Sequence, residues 1–252
     1  MTALDDIAGT ATGGTLYGIG VGPGDVRYMT LRAVGLVRSV DVLAYFAKQG
    51  REGNARRIVA PLLEAGRREL KFEYPVTDEI SAGHPEYRKQ IGNFYRNTAE
   101  TLSRELARGH SVGLLAEGDP FFYGSFMHMW RRLEDSVPVE VVPGVTGMSG
   151  CWTRANSPIT WGDDVLTVLP GTIDEAVLID RLSRSDAAVI MKVGRNLAKV
   201  RRAVEAAGLL PRAIYVERGT MADERITPLC DCIESTGPYF AMVLIPGQGR
   251  RI

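Results

Sequence analysis

The chain has 252 residues, enough for one large or two small domains and for a core that needs no disulfide or metal staple. Basic and acidic side chains number 30 each, and 45% of residues are hydrophobic; this balance argues against a generic nucleic-acid binder and against an acidic disordered chain. Three cysteines (Cys151, Cys230, Cys232) cannot form an oxidised framework, no basic stretch followed by an apolar core opens the chain, and no run of about 18 apolar residues occurs. These absences predict a soluble, cytoplasmic protein with no membrane span and no nucleic-acid partner.

In chain order, Met1–Gly14 is small, polar and aperiodic and reads as a disordered tail. A strand, Leu16–Val21, runs into Gly22-Pro23-Gly24-Asp25, and Thr30 is placed to cap a helix with Leu31, Val34 and Val37 at helical spacing. Val40–Tyr45 is predicted as the next strand, Asn54 opens a helix through Ile58 and Leu62, and Leu70–Tyr74 is a third strand. Glu86–Arg108 reads as a long amphipathic helix closed by Gly109, and Ser111–Ala116 as an apolar strand ending in Glu117-Gly118-Asp119-Pro120. A helix over Gly124–Leu133 and a strand over Val139–Val142, ending in Pro143-Gly144, complete this half. Strands alternating with helices imply a mainly parallel sheet.

After Pro158 the texture changes. Strand-like runs at Val165–Leu169, Ala187–Met191, Ala213–Glu217, Arg225–Leu229 and Tyr239–Ile245 are joined by two helices, Glu175–Leu182 and Asn196–Ala207. More strands per helix predicts a mixed sheet with antiparallel pairs. The expected organisation is a tail at 1–14, an N-terminal α/β domain at 15–145, a linker at about 146–159 and a C-terminal α/β domain at 160–246, with a ligand cleft between the domains.

Glycine is in surplus, 28 residues, and clusters where strands end. The first cluster fails the dinucleotide fingerprint in both registers, because the third glycine falls on Pro23 or on Arg27. No P-loop occurs. His84-Pro85-Glu86 matches half of a zinc deaminase signature, but Cys230-Asp231-Cys232 has the wrong spacing for its other half, so no metal is expected. What remains is three turns, each following an apolar strand: Gly-Pro-Gly-Asp, Gly-Asp-Pro-Phe-Phe-Tyr-Gly and Pro-Gly-Val-Thr-Gly. They bind through main-chain groups and offer no evident acid, base or nucleophile. That inventory suits an electrophile that arrives activated, such as a sulfonium methyl donor, which needs positioning and desolvation more than acid catalysis.

Four motifs in order, Val21-Gly-Pro-Gly-Asp25, Glu117-Gly-Asp-Pro120, Pro143-Gly-Val-Thr-Gly147 and Tyr215-Val-Glu-Arg-Gly-Thr220, resemble the tetrapyrrole (corrin/porphyrin) methylases from about Thr15 to Pro246. The resemblance implies two α/β domains, S-adenosylmethionine as methyl donor held in their cleft, a tetrapyrrole substrate and a homodimer. It implies donor contacts from Pro23 in the first turn, from Glu117, Gly118 and Asp119 with Phe122 packing nearby, from Thr146 and Gly147, from Met191 at a strand end, and from Gly219 near the adenine. Within the family, Ala116–Tyr123, the Met/Trp-rich helix through Trp130 and Asn54-Ala-Arg-Arg57 resemble the corrin-pathway branch that methylates the C-20 meso carbon of the reduced ring, with or without cobalt. The uroporphyrinogen methylases carry an aspartate, proposed as a base, where Phe46 stands here.

Tyr123 is the candidate to assist the loss of the ring proton, and Arg27, Lys48, Arg51 and Arg56 are candidates to meet the substrate carboxylates. Another corrin-pathway C-methyltransferase, a nucleotide-using oxidoreductase on a doubly wound fold, and a ligand-binding module without catalysis stay open as alternatives.

Overall fold

The computed structural model describes residues 9–76 and 84–249. The chain divides into two compact units, Met1–Thr146 and Gly147–Ile252.

The first unit is built on a five-stranded sheet of β1 (Leu16–Gly20), β2 (Val42–Lys48), β3 (Glu69–Tyr74), β4 (Val112–Ala116) and β5 (Val139–Val142). The strand order is β3-β2-β4-β1-β5 and every neighbouring pair is parallel. Four helices cover it: α1 (Leu31–Ser39), α2 (Asn54–Val59), α3 (Pro85–Ala107) and α4 (Phe126–Leu133). Alternation along the strands sorts the core into two layers. Tyr17, Ile19, Leu43 and Leu115 pack with Leu36 and Val37 of α1 and Ile58 and Val59 of α2. Leu16, Val42, Leu114 and Ala116 face the other way, onto Tyr95, Leu102 and Leu106 of α3 and Phe126, Met129 and Leu133 of α4.

Local signals set the element ends. The Thr30 hydroxyl accepts the Ala33 amide at 3.2 Å and caps α1, as its sequence position predicts. The helix expected to run from Asn54 to Leu62 is α-helical only to Val59 and continues as a 3-10 turn over Ala60–Leu62, because Pro61 has no N–H to give. The predicted start at Gly124 moves to Phe126, and β2 extends to Lys48 because it pairs with β3 as far as Tyr74.

Of the expected N-terminal tail, residues 1–8 lie outside the described residues. Residues 9–14 are tied down rather than loose: the Thr12 amide donates to the Tyr17 hydroxyl at 2.7 Å, the Ala11 amide to Ser39 Oγ at 3.1 Å, and Gly14 to the Gly109 carbonyl at 3.2 Å.

The second unit holds β6 (Leu166–Pro170), β7 (Ala187–Met191), β8 (Ile214–Glu217), β9 (Arg225–Pro228) and β10 (Ala241–Ile245) in the order β6-β7-β10-β8-β9. Only β6 and β7 are parallel; the other three pairings are antiparallel, so this sheet is mixed, as the strand-rich texture predicts. One face packs on α6 (Glu175–Ser183) and α7 (Leu197–Ala206). The other packs on α5 (Gly147–Arg154), a helix lying within the 146–159 stretch; its Cys151 is buried against Val216 and Leu244, with Met148 and Trp152 beside it.

Candidate active site

Because β4, β1 and β5 are adjacent and parallel, the turns that follow them emerge side by side at one edge of the first sheet. They are locked to one another through main-chain atoms. The Val21 amide donates to the Ala116 carbonyl at 2.9 Å, and Gly22 and Gly118 exchange hydrogen bonds of 3.3 and 2.8 Å. Gly118 sits at φ +64°, a left-handed conformation that glycine adopts without strain. The Asp119 carboxylate braces the block: one oxygen accepts the Phe121 amide at 2.9 Å, and the other accepts the Gly144 amide of the third turn at 3.1 Å. Gly144 approaches so closely that a Cβ there would lie 2.0 Å from the Gly118 carbonyl oxygen and 2.9 Å from Gly20 Cα. Pro23 and Thr146 are half-buried in the first and third turns. Asp25 closes the first turn by accepting the Arg27 amide at 2.9 Å, and its ion pair holds the Arg27 guanidinium at 2.6 Å.

Glu117 does something its position in the motif does not reveal. Its carboxyl lies beside the amide of Ala55, in the first turn of α2, near enough for that amide to favour its charged form. The N-cap of that helix is Gly53, which has no side chain to cap with, and the carboxyl from a strand end stands at this N-terminus instead. Two stretches noted separately in the sequence, Asn54–Arg57 and Ala116–Tyr123, thus meet. Burial pushes the Glu117 carboxyl above its ordinary range, while its own amide and that of Ala55 pull it partly back.

A carboxyl whose folded pKa is raised favours the fold while it is protonated and loses that contribution as pH rises through the folded value. Glu117→Gln keeps an acceptor for Ala55 and removes the buried charge. Its melting temperature should exceed that of the wild type at pH 8, by a margin that shrinks to nothing near pH 4; thermal melts at the two pH values check this.

After Pro120 the chain turns sharply again. Tyr123 adopts φ +57° and is exposed, with the Phe122 ring edge-on to it at 5.0 Å. The Ser125 hydroxyl then shares a 2.6 Å hydrogen bond with Tyr74 and accepts a longer one, 3.4 Å, from Tyr95. Phe46 belongs to the same neighbourhood, within 5.5–6.1 Å of the rings of Phe72, Tyr74, Phe94 and Tyr95. An apolar ring packed among rings stands where a carboxylate base would be. Among the basic candidates, Arg56 is committed to Glu69 at 3.1 Å and Glu52 at 3.0 Å, and Arg27 to Asp25; Lys48 and Arg51 lie on the surface at and beyond the end of β2.

The remaining candidates lie in the second unit, which Gly147 opens as the first residue of α5. Met191 closes β7 half-buried, and its carbonyl accepts the Gly171 amide at 2.6 Å. Gly219 packs on α5, where a Cβ would lie 2.7 Å from Cys151 Sγ. Burial pushes the Cys151 thiol up to about 12, so it is a packing group and not a nucleophile. Arg218 and Thr220, on either side of Gly219, take φ values of +48° and +72°, a contorted turn held by the Thr220 amide on Glu224 at 2.9 Å. His84 caps α3 by accepting the Glu86 amide at 3.1 Å. Among the described residues no three His, Cys, Asp or Glu side chains are grouped to hold a metal ion, and no helix is long and apolar enough to cross a membrane.

The family model of the tetrapyrrole (corrin/porphyrin) methylases matches residues 15–229, and the chain belongs to that family. It is 53% identical over 238 residues to a precorrin-2 C(20)-methyltransferase of Sinorhizobium sp., covering 94% of this chain and 97% of the relative. It is 28% identical to the cobalt-precorrin-2 C(20)-methyltransferase of Salmonella typhimurium strain LT2, over 93% of this chain and 97% of that one. Among solved structures, a uroporphyrin-III C-methyltransferase from Thermus thermophilus complexed with S-adenyl homocysteine is similar with a TM-score of 0.65 at 23% identity, covering 94% of this chain and 99% of that one.

Proposed function

We propose that this protein transfers a methyl group from S-adenosylmethionine to the C-20 meso carbon of precorrin-2 in cobalamin biosynthesis, and that the metal-free ring is its substrate. The observation that carries this reading is the 53% identity, spanning almost the full length of both chains, to a precorrin-2 C(20)-methyltransferase, against 28% to a cobalt-precorrin-2 C(20)-methyltransferase. The sheet-edge turns fit the donor: closely packed glycine turns that present main-chain amides and carbonyls at one edge suit a ligand with a carboxylate and ribose hydroxyls. We assign donor contacts to Pro23, Glu117, Gly118, Asp119, Phe122, Thr146, Gly147, Met191 and Gly219, following the family pattern.

The donor supplies an activated methyl carbon. The protein's own part is to fix geometry and exclude water. Proline-stiffened turns braced by Asp119 hold a shape that needs no rearrangement when ligand arrives, so the reacting carbons are brought to about 3–3.5 Å at little entropic cost. In the reduced ring the C-20 carbon is enamine-like and attacks without a strong protein base. This accords with an apolar Phe46 in the aromatic cluster. As the new C–C bond forms the methyl–sulfur bond breaks, S-adenosylhomocysteine leaves, and the C-20 proton passes to solvent, a departure that we assign Tyr123 to assist.

We further assign the protein to the cytoplasm, which suits a chain with an exposed free thiol at Cys230, and to a homodimeric state, which sedimentation equilibrium tests. The decisive experiment incubates the protein with methyl-labelled donor and either precorrin-2 or its cobalt complex, and locates the label by NMR. A methyl on C-20 of the metal-free ring is the expected product; a methyl on another carbon transfers the protein to a sister activity, and preference for the cobalt ring reverses the substrate assignment.

A further inference from the structure

Between α3 and α4 of the first unit lies a groove of about 630 Å³, within the size range of small-molecule sites. Its floor is apolar, with Gly92 and the buried Ala99 and Leu133, while its rim carries the guanidinium groups of Arg96, Arg104 and Arg132 against a single carboxylate, Glu100. Each guanidinium is steadied by a neutral partner: Arg96 by Asn93 Oδ1 at 3.2 Å, Arg104 by Thr101 Oγ1 at 2.9 Å, and Arg132 by the His128 carbonyl at 2.7 Å. Arg132 also lies over the Tyr95 ring, 5.7 Å from its centroid. Among the described residues no carboxylate pairs with any of the three. Their remaining N–H groups form a pre-oriented set of donors for carboxylates. Arg96 and Arg104 are eight residues apart on one helix, about 12 Å along its axis, too far for one carboxylate to bridge. None of the lining residues belongs to the three sheet-edge turns.

We propose that this groove is a second binding site, separate from the reaction site, that holds a tetrapyrrole by its peripheral carboxylates with the flat apolar ring against the Ala99–Leu133 floor. An apolar floor with a cationic rim matches a hydrophobic ring edged with acids better than it matches a free inorganic anion, which has no use for the floor, or an acidic protein segment, which has no need of a ligand-sized hollow. The choice of ligand rests on the function proposed above; the cationic rim does not.

Titrating the full-length protein with an octacarboxylate porphyrin, followed by absorbance and fluorescence, tests the site. The wild type should show binding that Arg96→Ala/Arg104→Ala/Arg132→Ala weakens at least tenfold and that high salt suppresses. The same variant should keep the wild-type melting temperature and the wild-type kcat for methyl transfer at saturating substrate. Unchanged porphyrin affinity in the variant overturns the inference. So does equal displacement of the porphyrin by a poly-glutamate peptide of matched charge, which marks the groove as an acidic-protein surface. Arginine-dependent porphyrin binding in a protein that transfers no methyl group overturns the proposed function instead and supports the groove.

Discussion

Gly144→Ala should weaken binding of S-adenosylhomocysteine at least a hundredfold and lower the melting temperature, as titration calorimetry and thermal melts would record. A methyl group at this position would sit 2.0 Å from the Gly118 carbonyl oxygen and 2.9 Å from Gly20 Cα, and both neighbours are main chain that cannot rotate away. Relief requires the third turn to lift off the second, which breaks the Gly144 amide bond to Asp119 and spoils the shared edge of all three turns. Overpacking of this kind costs roughly 1–3 kcal/mol before any ligand is considered, and with the donor assigned to these turns the larger loss falls on its binding. Gly92→Ala is the matched control. Gly92 lies inside α3 with open space around it, so alanine there should stabilise by about 0.5–1 kcal/mol through helix propensity. If Gly144→Ala bound the thioether as the wild type does, these turns would not be the donor site.

Phe126→Ala should destabilise the protein by about 3–5 kcal/mol in chemical denaturation, the usual cost of emptying a large aromatic site in a core. The Phe126 ring is 1% exposed and its outer end abuts the bare backbone of Gly18 in β1. A Cβ at Gly18 would come 2.4 Å from it. The two residues are therefore complementary, and their variants should not add. Gly18→Ala alone forces the ring out of place and should be clearly destabilising; in the Phe126→Ala background the same methyl enters vacated space and should cost little or restore some stability. Because Phe126 anchors the start of α4 directly after the Tyr123–Ser125 turn, its loss should also raise the KM for donor while leaving the chemistry intact once donor is bound.

Much of the fold could be read from local pattern. Short apolar runs and period-3.6 hydrophobicity located the ten strands of the described residues and the long helices to within a few residues; β1 and β4, buried on both faces, read as unbroken apolar runs. Gly147–Arg154 escaped, and the reason is physical. Two glycines and a threonine lower its intrinsic helix propensity, and what makes it a helix is the fit of Cys151, Met148 and Trp152 onto the second sheet, a tertiary fact with no local signature. The site divides in the same way. The three glycine-proline turns could be found because each closes an apolar strand, and parallel pairing brings them to one edge. Two links between distant segments could not. Asp119 carries no mark in its own motif of the bond it makes to the Gly144 amide, and nothing around Glu117 points to a helix N-terminus elsewhere in the chain.

The main-chain bracing of the sheet-edge turns has a consequence for how this protein tolerates change. Gly22 and Gly118 recognise each other through amide and carbonyl alone, so exchanging the half-buried Val145 for another apolar residue leaves the contour of that edge untouched. Saturation mutagenesis read out by growth without added vitamin should therefore give a sparse map, with intolerance confined to the few positions where a single carbon atom has no room and permissiveness on either side.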